Sequence, residues 1–214
     1  MHFEHPSVTL LQHALAQHHL AGLRDASTAP AVFRQHVDCL AALLAAELTR
    51  DLPLQPVTVQ TPMESTSGFR IAGRLAIVPI LRAGLGMTEA FLRLLPDAEV
   101  RHLGICRDEA TALPMEYYQK LPNSNPADVA IITDPMLATG GSILHAVQLL
   151  KNWGVPQIRF ACLIAAPEGL QQLTSAHPDV QVFTASIDRQ LNDRSYILPG
   201  LGDAGDRIFN TANF

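Results

Sequence analysis

The sequence predicts an α/β fold, a parallel twisted sheet flanked by helices, with an N-terminal helical segment, a β-flap or hood and a C-terminal segment added to it. Two patterns predict it. From residue 75 onward, short continuous apolar runs alternate with amphipathic stretches, as expected for parallel strands covered on both faces. Before that point, apolar residues recur at helical spacing instead. The composition agrees, because 214 residues at 48% hydrophobic and 16% charged supply enough apolar surface to offset the entropy of folding, which excludes disorder for most of the chain.

Taken in order, residues 9–20 read as a short helix. Ser27 and Thr28 followed by Pro30 make a second helix start, after which Phe33, Val37, Leu40, Ala41, Leu44 and Leu48 form one apolar face. Residues 1–50 are therefore the N-terminal helical segment. Beyond Pro53 and Pro56, short β segments at 57–60 and 70–72 flank a turn-rich stretch at 64–68, which reads as a hairpin or flap. The alternation then runs strand 75–81, helix 87–95, strand 100–107, strand 129–133, helix 141–153, strand 158–165, helix 168–176 and strand 180–185. Its rhythm breaks at 108–128, which holds Pro114, Pro122, Pro126 and the pair Tyr117 and Tyr118. So long an excursion inside an α/β domain reads as a lid or a disordered loop, with the tyrosines packing it onto the body. No repeat, low-complexity tract or linker interrupts the chain, so residues 1–214 are expected to form a single domain.

Charge and cysteine content narrow the function. Fifteen basic and twenty acidic residues give a net charge of −5 without any Lys/Arg block, which argues against nucleic acid as a partner. The longest apolar run, residues 39–46, is too short to cross a bilayer, and the N-terminus lacks the features of a signal peptide. No membrane partner is expected. Cys39, Cys106 and Cys162 are odd in number and scattered, which fits a reducing cytoplasm rather than a disulfide framework. Five of the nine histidines, His2, His5, His13, His18 and His19, crowd the N-terminus and read as a solvated helix face rather than a metal site.

The sharpest chemical feature is the string Asp134, Pro135, Met136, Leu137, Ala138, Thr139, Gly140, Gly141, Ser142, set between an apolar strand and an amphipathic helix. Such a junction presents unpaired N–H groups and the positive end of the helix dipole; the hydroxyls of Thr139 and Ser142 add donors, and the glycines allow close approach. A phosphate group fits there. No Lys follows the glycines, so this is neither a P-loop nor the G-x-G-x-x-G of dinucleotide folds. A carboxylate beside an anion site must face hydroxyls or a cation, and a vicinal diol next to a phosphate is a sugar phosphate. Taken alone, Asp134 and Thr139 read equally well as helix caps.

Other features keep two readings each. Arg82 ends an apolar strand in a turn with Gly84 and Gly86, which suits an anion or an ordinary ion-paired surface arginine. The glycine-dense stretch around Asp203 and Asp206 suits close contact with a planar ligand, and by itself reads as a turn or a weak calcium site. Cys106 beside Arg107 is either a reactive thiol or a buried strand cysteine. Trp153 before Gly154 reads as a helix end packed on the sheet.

These strings together resemble the type I phosphoribosyltransferases, in the form of the uracil phosphoribosyltransferases. Residues 134–142 resemble that family's loop for 5-phospho-α-D-ribose 1-diphosphate (PRPP), and residues 78–86 its pyrophosphate loop. Arg107 with residues 117–122 resembles the ends of a mobile hood, and residues 196–207 resemble its uracil-binding segment. The order is kept over nearly the whole chain. The resemblance implies conversion of uracil and PRPP to UMP and pyrophosphate in pyrimidine salvage, with residues 108–128 as the hood and 187–214 as the uracil-binding segment. It implies PRPP contacts from Arg82, Arg107, Asp134, Pro135, Met136, Leu137, Ala138, Thr139, Gly140, Gly141, Ser142 and Asp203. Uracil contacts fall to Ile197, Gly202, Asp203 and Ala204, and catalytic roles to Asp134, Arg107 and Asp203. Mg²⁺ would be held mainly through PRPP and pyrophosphate, with no protein metal ligand; GTP binding and a homodimer or larger homo-oligomer are also implied.

The chemistry is consistent with those roles. Uracil offers an acceptor, donor, acceptor edge that backbone groups can meet, whereas cytosine would leave buried polar groups unpaired. Closure of the hood would exclude water from a cation-like ribosyl centre. Ala110, Ala112 and Leu113 depart from the more acidic hood of the family, which bears on loop dynamics rather than on the chemistry. Two alternatives remain from the sequence: the same fold acting on another base, and a non-catalytic PRPP or UMP sensor.

Overall fold

An apolar run without a polar face is satisfied only where both sides are dry, and the fold follows from that requirement. The computed structural model describes residues 3–107, 114–122 and 124–211, without the side chains of Cys106, Arg107 and Pro114. In chain order the elements are β1 (Val8–Leu10), α1 (Ala14–Arg24), α2 (Pro30–Leu48), β2 (Leu54–Gln60), β3 (Ser65–Ile71), β4 (Leu75–Leu81), α3 (Leu85–Leu94), β5 (Glu99–Val100), β6 (Leu103–Arg107) and β7 (Pro114–Gln119). They continue as β8 (Val129–Thr133), β9 (Met136–Leu137), α4 (Gly141–Trp153), β10 (Gln157–Ala165), α5 (Pro167–Ala176), β11 (Gln181–Ile187), β12 (Gln190–Leu191), β13 (Ile197–Leu198) and α6 (Ala204–Phe209).

The main sheet has the order β1-β11-β10-β8-β4-β6-β7. It is parallel from β1 to β6, and only β7 runs antiparallel. Alternate residues of each central strand enter opposite cores, as the two-residue period requires. Ile77, Ile131 and Leu163 pack with α1, α2 and α3 on one face. Val78, Ile132 and Phe160 pack with α4 and α5 on the other. All of β8 and nearly all of β4 and β10 are buried.

Several predicted boundaries need correction. The helix expected at 9–20 begins at Ala14 and runs to Arg24, while Val8–Leu10 is a strand in register with Val182 and Thr184 of β11. Sequence periodicity could not show that β11 leaves an open edge for it. The start of α2 has Pro30 at its first position as predicted, but Ala29 is the N-cap, without a side-chain bond. Thr28 instead donates to the Gly22 carbonyl at 2.7 Å. The hairpin is longer than expected, and its turn is closed by Thr61 N–H to the Glu64 carbonyl, so most of 64–68 lies in β3. The strand expected at 100–107 is split into β5 and β6. Within the predicted hood, Pro114–Gln119 forms β7 against β6 rather than an irregular loop; residues 108–113 and 123, with Ala110, Ala112 and Leu113, lie outside the described residues.

One buried cation ties the helical layer to the sheet. Arg159, on β10, is 1% exposed at its side chain and donates to Asp51 Oδ1 at 2.6 Å. It also donates to the Leu48 carbonyl at the end of α2, satisfying one of the acceptors that a helix C-terminus leaves open. Replacing Arg159 by Met keeps the bulk and deletes the donor, and is expected to lower stability by about 1–3 kcal/mol. A urea midpoint that stays in place or rises would show that this tie contributes nothing.

Candidate active site

Because β4, β8, β10 and β11 are parallel, they end on one edge of the sheet, and Arg82, Asp134 and Asp188 emerge together there. In open α/β sheets this carboxyl edge is where ligands bind. The β8–α4 junction is fastened to its neighbours before it meets any ligand. Pro135 is buried, and its carbonyl accepts from the N–H groups of Leu163 and Ile164 at 2.9 and 3.2 Å. Met136 and Leu137 pair with Ile164 and Ala165 as β9.

Gly140 then turns the chain at φ +92, a conformation that favours glycine, and α4 begins without a side-chain cap. The cap reading of Asp134 and Thr139 is therefore wrong, and the first-turn N–H groups of α4 are left for a ligand. A cavity of about 100 Å³ is lined there by Asp134, Met136, Leu137, Ala138, Thr139, Gly140, Gly141, Ser142 and Ile143. Of the predicted loop residues only Pro135 does not line it, since it serves to anchor the loop.

A second cavity, of about 230 Å³, is lined by Met136, Ala138, Arg194, Ser195, Tyr196, Ile197 and Asp203. It shares Met136 and Ala138 with the first, so the two cavities are neighbours. Ile197 is buried in β13, Gly202 turns at φ +77, and Ala204 is the buried first residue of α6. Asp203 caps α6 by accepting from Asp206 N–H at 2.9 Å. That helix was not predicted; its one signal was an N-cap aspartate ahead of a second acidic residue, hidden among glycines. Arg194 and Ser195 had no sequence signal at all.

Asp134 lines the first cavity and feels the charge of Asp203, which lines the second. Burial pushes the Asp134 carboxyl up to about 7, the Met136 N–H opposing the shift and the Asp203 charge adding to it. Among the described residues neither carboxylate has a salt-bridge partner. Arg82, after the cis peptide Leu81–Arg82, is exposed and lies 3.3 Å from Asp206 Oδ1. Its turn nests against β8, because a Cβ on Gly84 would lie 2.3 Å from the Thr133 carbonyl. The backbone of Arg107 ends β6 opposite Pro114, and its side chain lies outside the described residues.

Tyr117 and Tyr118 pack over Gly104, where a Cβ would approach Tyr117 to 2.6 Å, in keeping with their predicted packing role. With Leu81, Leu85 and His102 they line a further cavity of about 400 Å³. Glu116 Oε2 lies 3.2 Å from His145 Nε2 of α4, which links β7 to the helix that follows the smaller cavity. A cavity of about 540 Å³ lies elsewhere, among Arg70, Arg74, Leu94 and Asp97 near the start of β4.

Among the described residues there is no group of three or more His, Cys, Asp or Glu that could hold a metal ion. The histidine face is not simply solvated: His19 is half-buried and its Nδ1 lies 3.0 Å from that of His36. Of the cysteines, Cys39 is exposed and Cys162 buried.

The family described as Uracil phosphoribosyltransferase matches residues 10–211 of the chain. A protein of that name from Halalkalibacterium halodurans is 52% identical over 205 residues, covering 95% of this chain and 98% of its own length. Another, from Roseiflexus sp., is 54% identical over 204 residues with the same coverage. Among solved structures, the AQ2163 protein from Aquifex aeolicus superposes with a TM-score of 0.91 at 34% identity, over 97% of this chain and 100% of its own.

The state of Asp134 gives a stability test with a defined sign. Folded, its carboxyl holds a proton up to about pH 7, whereas unfolded it loses that proton near 3.8. The folded state thus binds more protons across that window, and the stability this group allows falls as pH rises through it. Replacing Asp134 by Asn is expected to stabilise the ligand-free protein at pH 8 by roughly 1–3 kcal/mol, with the gain vanishing toward pH 4. Thermal melts showing the same difference at both pH values would contradict the assignment.

Proposed function

The chain belongs to the uracil phosphoribosyltransferase family, and from that membership we propose which of its residues do the work. It is a pentosyltransferase of pyrimidine salvage, making UMP and pyrophosphate from uracil and PRPP. The observation that best supports the residue assignment is the pair of neighbouring cavities that share Met136 and Ala138, with Asp134 lining one and Asp203 the other. A nucleoside monophosphate has its phosphate at one end, its diol in the middle and its base at the other.

In this reading the 5′-phosphate accepts from N–H groups and hydroxyls along Ala138, Thr139, Gly140, Gly141 and Ser142, at the positive end of α4. Asp134 accepts from the ribose hydroxyls, which replace the water it has lost and favour its charged form. Arg82 leaves Asp206 for the pyrophosphate, a multiply charged partner that suits a guanidinium better, and Arg107 assists from the hood. Backbone groups of Ile197, Gly202 and Ala204 meet the uracil edge. As the bond from ribose C1 to pyrophosphate breaks and the bond to uracil N1 forms, the N1 proton departs; Asp203 is the nearby carboxylate, positioning the base or accepting that proton.

Mg²⁺ would be held mainly through substrate oxygens, beside Asp134 and Asp203, which line the two cavities. When bound, the ion neutralises charge on the leaving group. Residues 1–214 act as a single domain, with 108–128 as hood and 187–214 as uracil-binding segment. A cytoplasmic location and GTP binding belong to the same proposal, on family resemblance. No helix among the described residues is long and apolar enough to cross a membrane.

A homodimer or larger assembly is supported by the β2–β3 hairpin. Its strands pair only with each other among the described residues and expose Leu54, Val59, Phe69 and Ile71, with Met63 exposed in the turn. An isolated two-stranded hairpin is marginal in water, and a second copy of the chain would cover it. Sedimentation of a Met63→Glu, Phe69→Glu variant is expected to give monomers where the parent gives dimers or more; an unchanged assembly would refute this contact.

The activity test follows UMP and pyrophosphate from uracil, PRPP and Mg²⁺, with cytosine and hypoxanthine as controls. Uracil is expected to be preferred over cytosine by about a hundredfold or more in kcat/KM. Asp134→Ala should raise KM for PRPP more than KM for uracil. Binding of PRPP without turnover of any base would favour the sensor instead, and equal loss of both affinities would contradict the ribose role of Asp134.

A further inference from the structure

Behind the base-facing loop, outside both cavities, lies a buried ion pair that the chemistry above does not use. Asp188 directly follows β11, and its side chain is 1% exposed. Arg24, in the last turn of α1, donates through Nη1 to Asp188 Oδ2 at 2.8 Å and to the Gly200 carbonyl at 2.9 Å. Through Nη2 it donates to Asp188 Oδ1 at 2.6 Å and to Ser186 Oγ at 3.1 Å. Ser186 Oγ donates in turn to Asp188 Oδ1 at 2.8 Å, and Gly200 N–H donates to Asp188 Oδ2 at 2.9 Å. Burial opposes the charge on Asp188, yet the bonds from Arg24, Ser186 and Gly200 outweigh it and hold the carboxyl below its ordinary range.

Both polar groups of Gly200 are therefore gripped by one ion pair. Gly200 has no side chain with which to anchor itself; it turns at φ +66, and a Cβ there would lie 2.2 Å from the Ile197 carbonyl. The next residue is held as well, since Arg207 Nη1 donates to the Leu201 carbonyl at 2.7 Å and to the Leu23 carbonyl. Arg207 also donates to the Asp25 carbonyl at 2.6 Å and sits 4.1 Å from the Phe33 ring. The loop between Ile197 and Asp203 is thus fastened from behind to the N-terminal helices.

We propose that Arg24 and Asp188 are positioning residues for base recognition, holding Gly200 so that the backbone groups of Ile197, Gly202 and Ala204 meet the uracil edge together. This rests on the assignment of that loop to the base. Recognition by backbone has no rotamer with which to adapt, so a small shift of the loop weakens every bond to the base at once. The phosphate loop is fastened separately, to β10, and does not share the clamp. An Arg fork spans both carboxylate oxygens and the Gly200 carbonyl, a geometry that the single ammonium of Lys cannot reproduce.

The test is the ratio of KM for uracil to KM for PRPP in Arg24→Lys and in Ser186→Ala, which loosens the clamp without removing a charge. The ratio is expected to rise about tenfold in Arg24→Lys and about two- to threefold in Ser186→Ala, with kcat at saturation changing less. An unchanged ratio, or a parallel rise in both KM values with a lowered Tm, would make the pair merely structural and overturn the proposal. Should Arg24→Lys fail to fold, the Ser186→Ala ratio decides alone. A parent protein that does not turn over uracil would overturn the base assignment and the clamp together, whereas a normal parent with unchanged ratios removes the clamp only.

Discussion

Strand β8 is buried along its whole length between β4 and β10, and the position of every group at the carboxyl edge depends on that dry centre. A strand with no wet face cannot slip, because a one-residue shift would exchange the residues of the two cores. Its fixed register sets where Asp134 emerges. The turn before α3 rests on it through Gly84, and the loop after it is hydrogen-bonded to β10 through Pro135. The cleft is thus assembled by backbone contacts between neighbouring strand ends, and its side chains need little support of their own.

Charge balance explains the remaining features of the ligand-free cleft. Asp134 and Asp203 line the cavities without a salt-bridge partner among the described residues, and Arg82 lies 3.3 Å from Asp206. A ligand that brings hydroxyls to the first carboxylate and an anion to Arg82 relieves both strains at once. An anionic sugar carrying a diol does this, and a neutral sugar or a free phosphate does half of it. Behind the loop between Ile197 and Asp203 the charges are already matched, in Arg24 and Asp188.

The parallel sheet was legible in the sequence because β4, β8 and β10 are buried on both faces, which leaves an unbroken apolar run that nothing else explains. Strand β8 and helix α4 match their predicted limits, since Gly140 and Gly154 mark both ends of the helix with positive φ. Strand β1 was not legible: three residues acquire their meaning only from the free edge of β11. The hood strand Pro114–Gln119 and helix α6 were hidden by the Pro and Gly residues around them. At the carboxyl edge, the open turn before α4 and the place of Arg82 could be read because strand ends and glycines are local signals. Arg194, Ser195 and the clamp from Arg24 could not, because they are brought together from the two ends of the chain only by the folded sheet.

The central claim is that one continuous cleft, from the start of α4 to the loop before α6, holds a nucleoside monophosphate in a single orientation. A crystal structure of the protein with UMP tests this most directly. The account predicts the phosphate on the N–H groups of residues 139–142, the ribose hydroxyls on Asp134, and the uracil edge on the backbone of Ile197, Gly202 and Ala204. A phosphate bound away from the α4 N-terminus, or a base turned away from the loop that Gly200 supports, would contradict it.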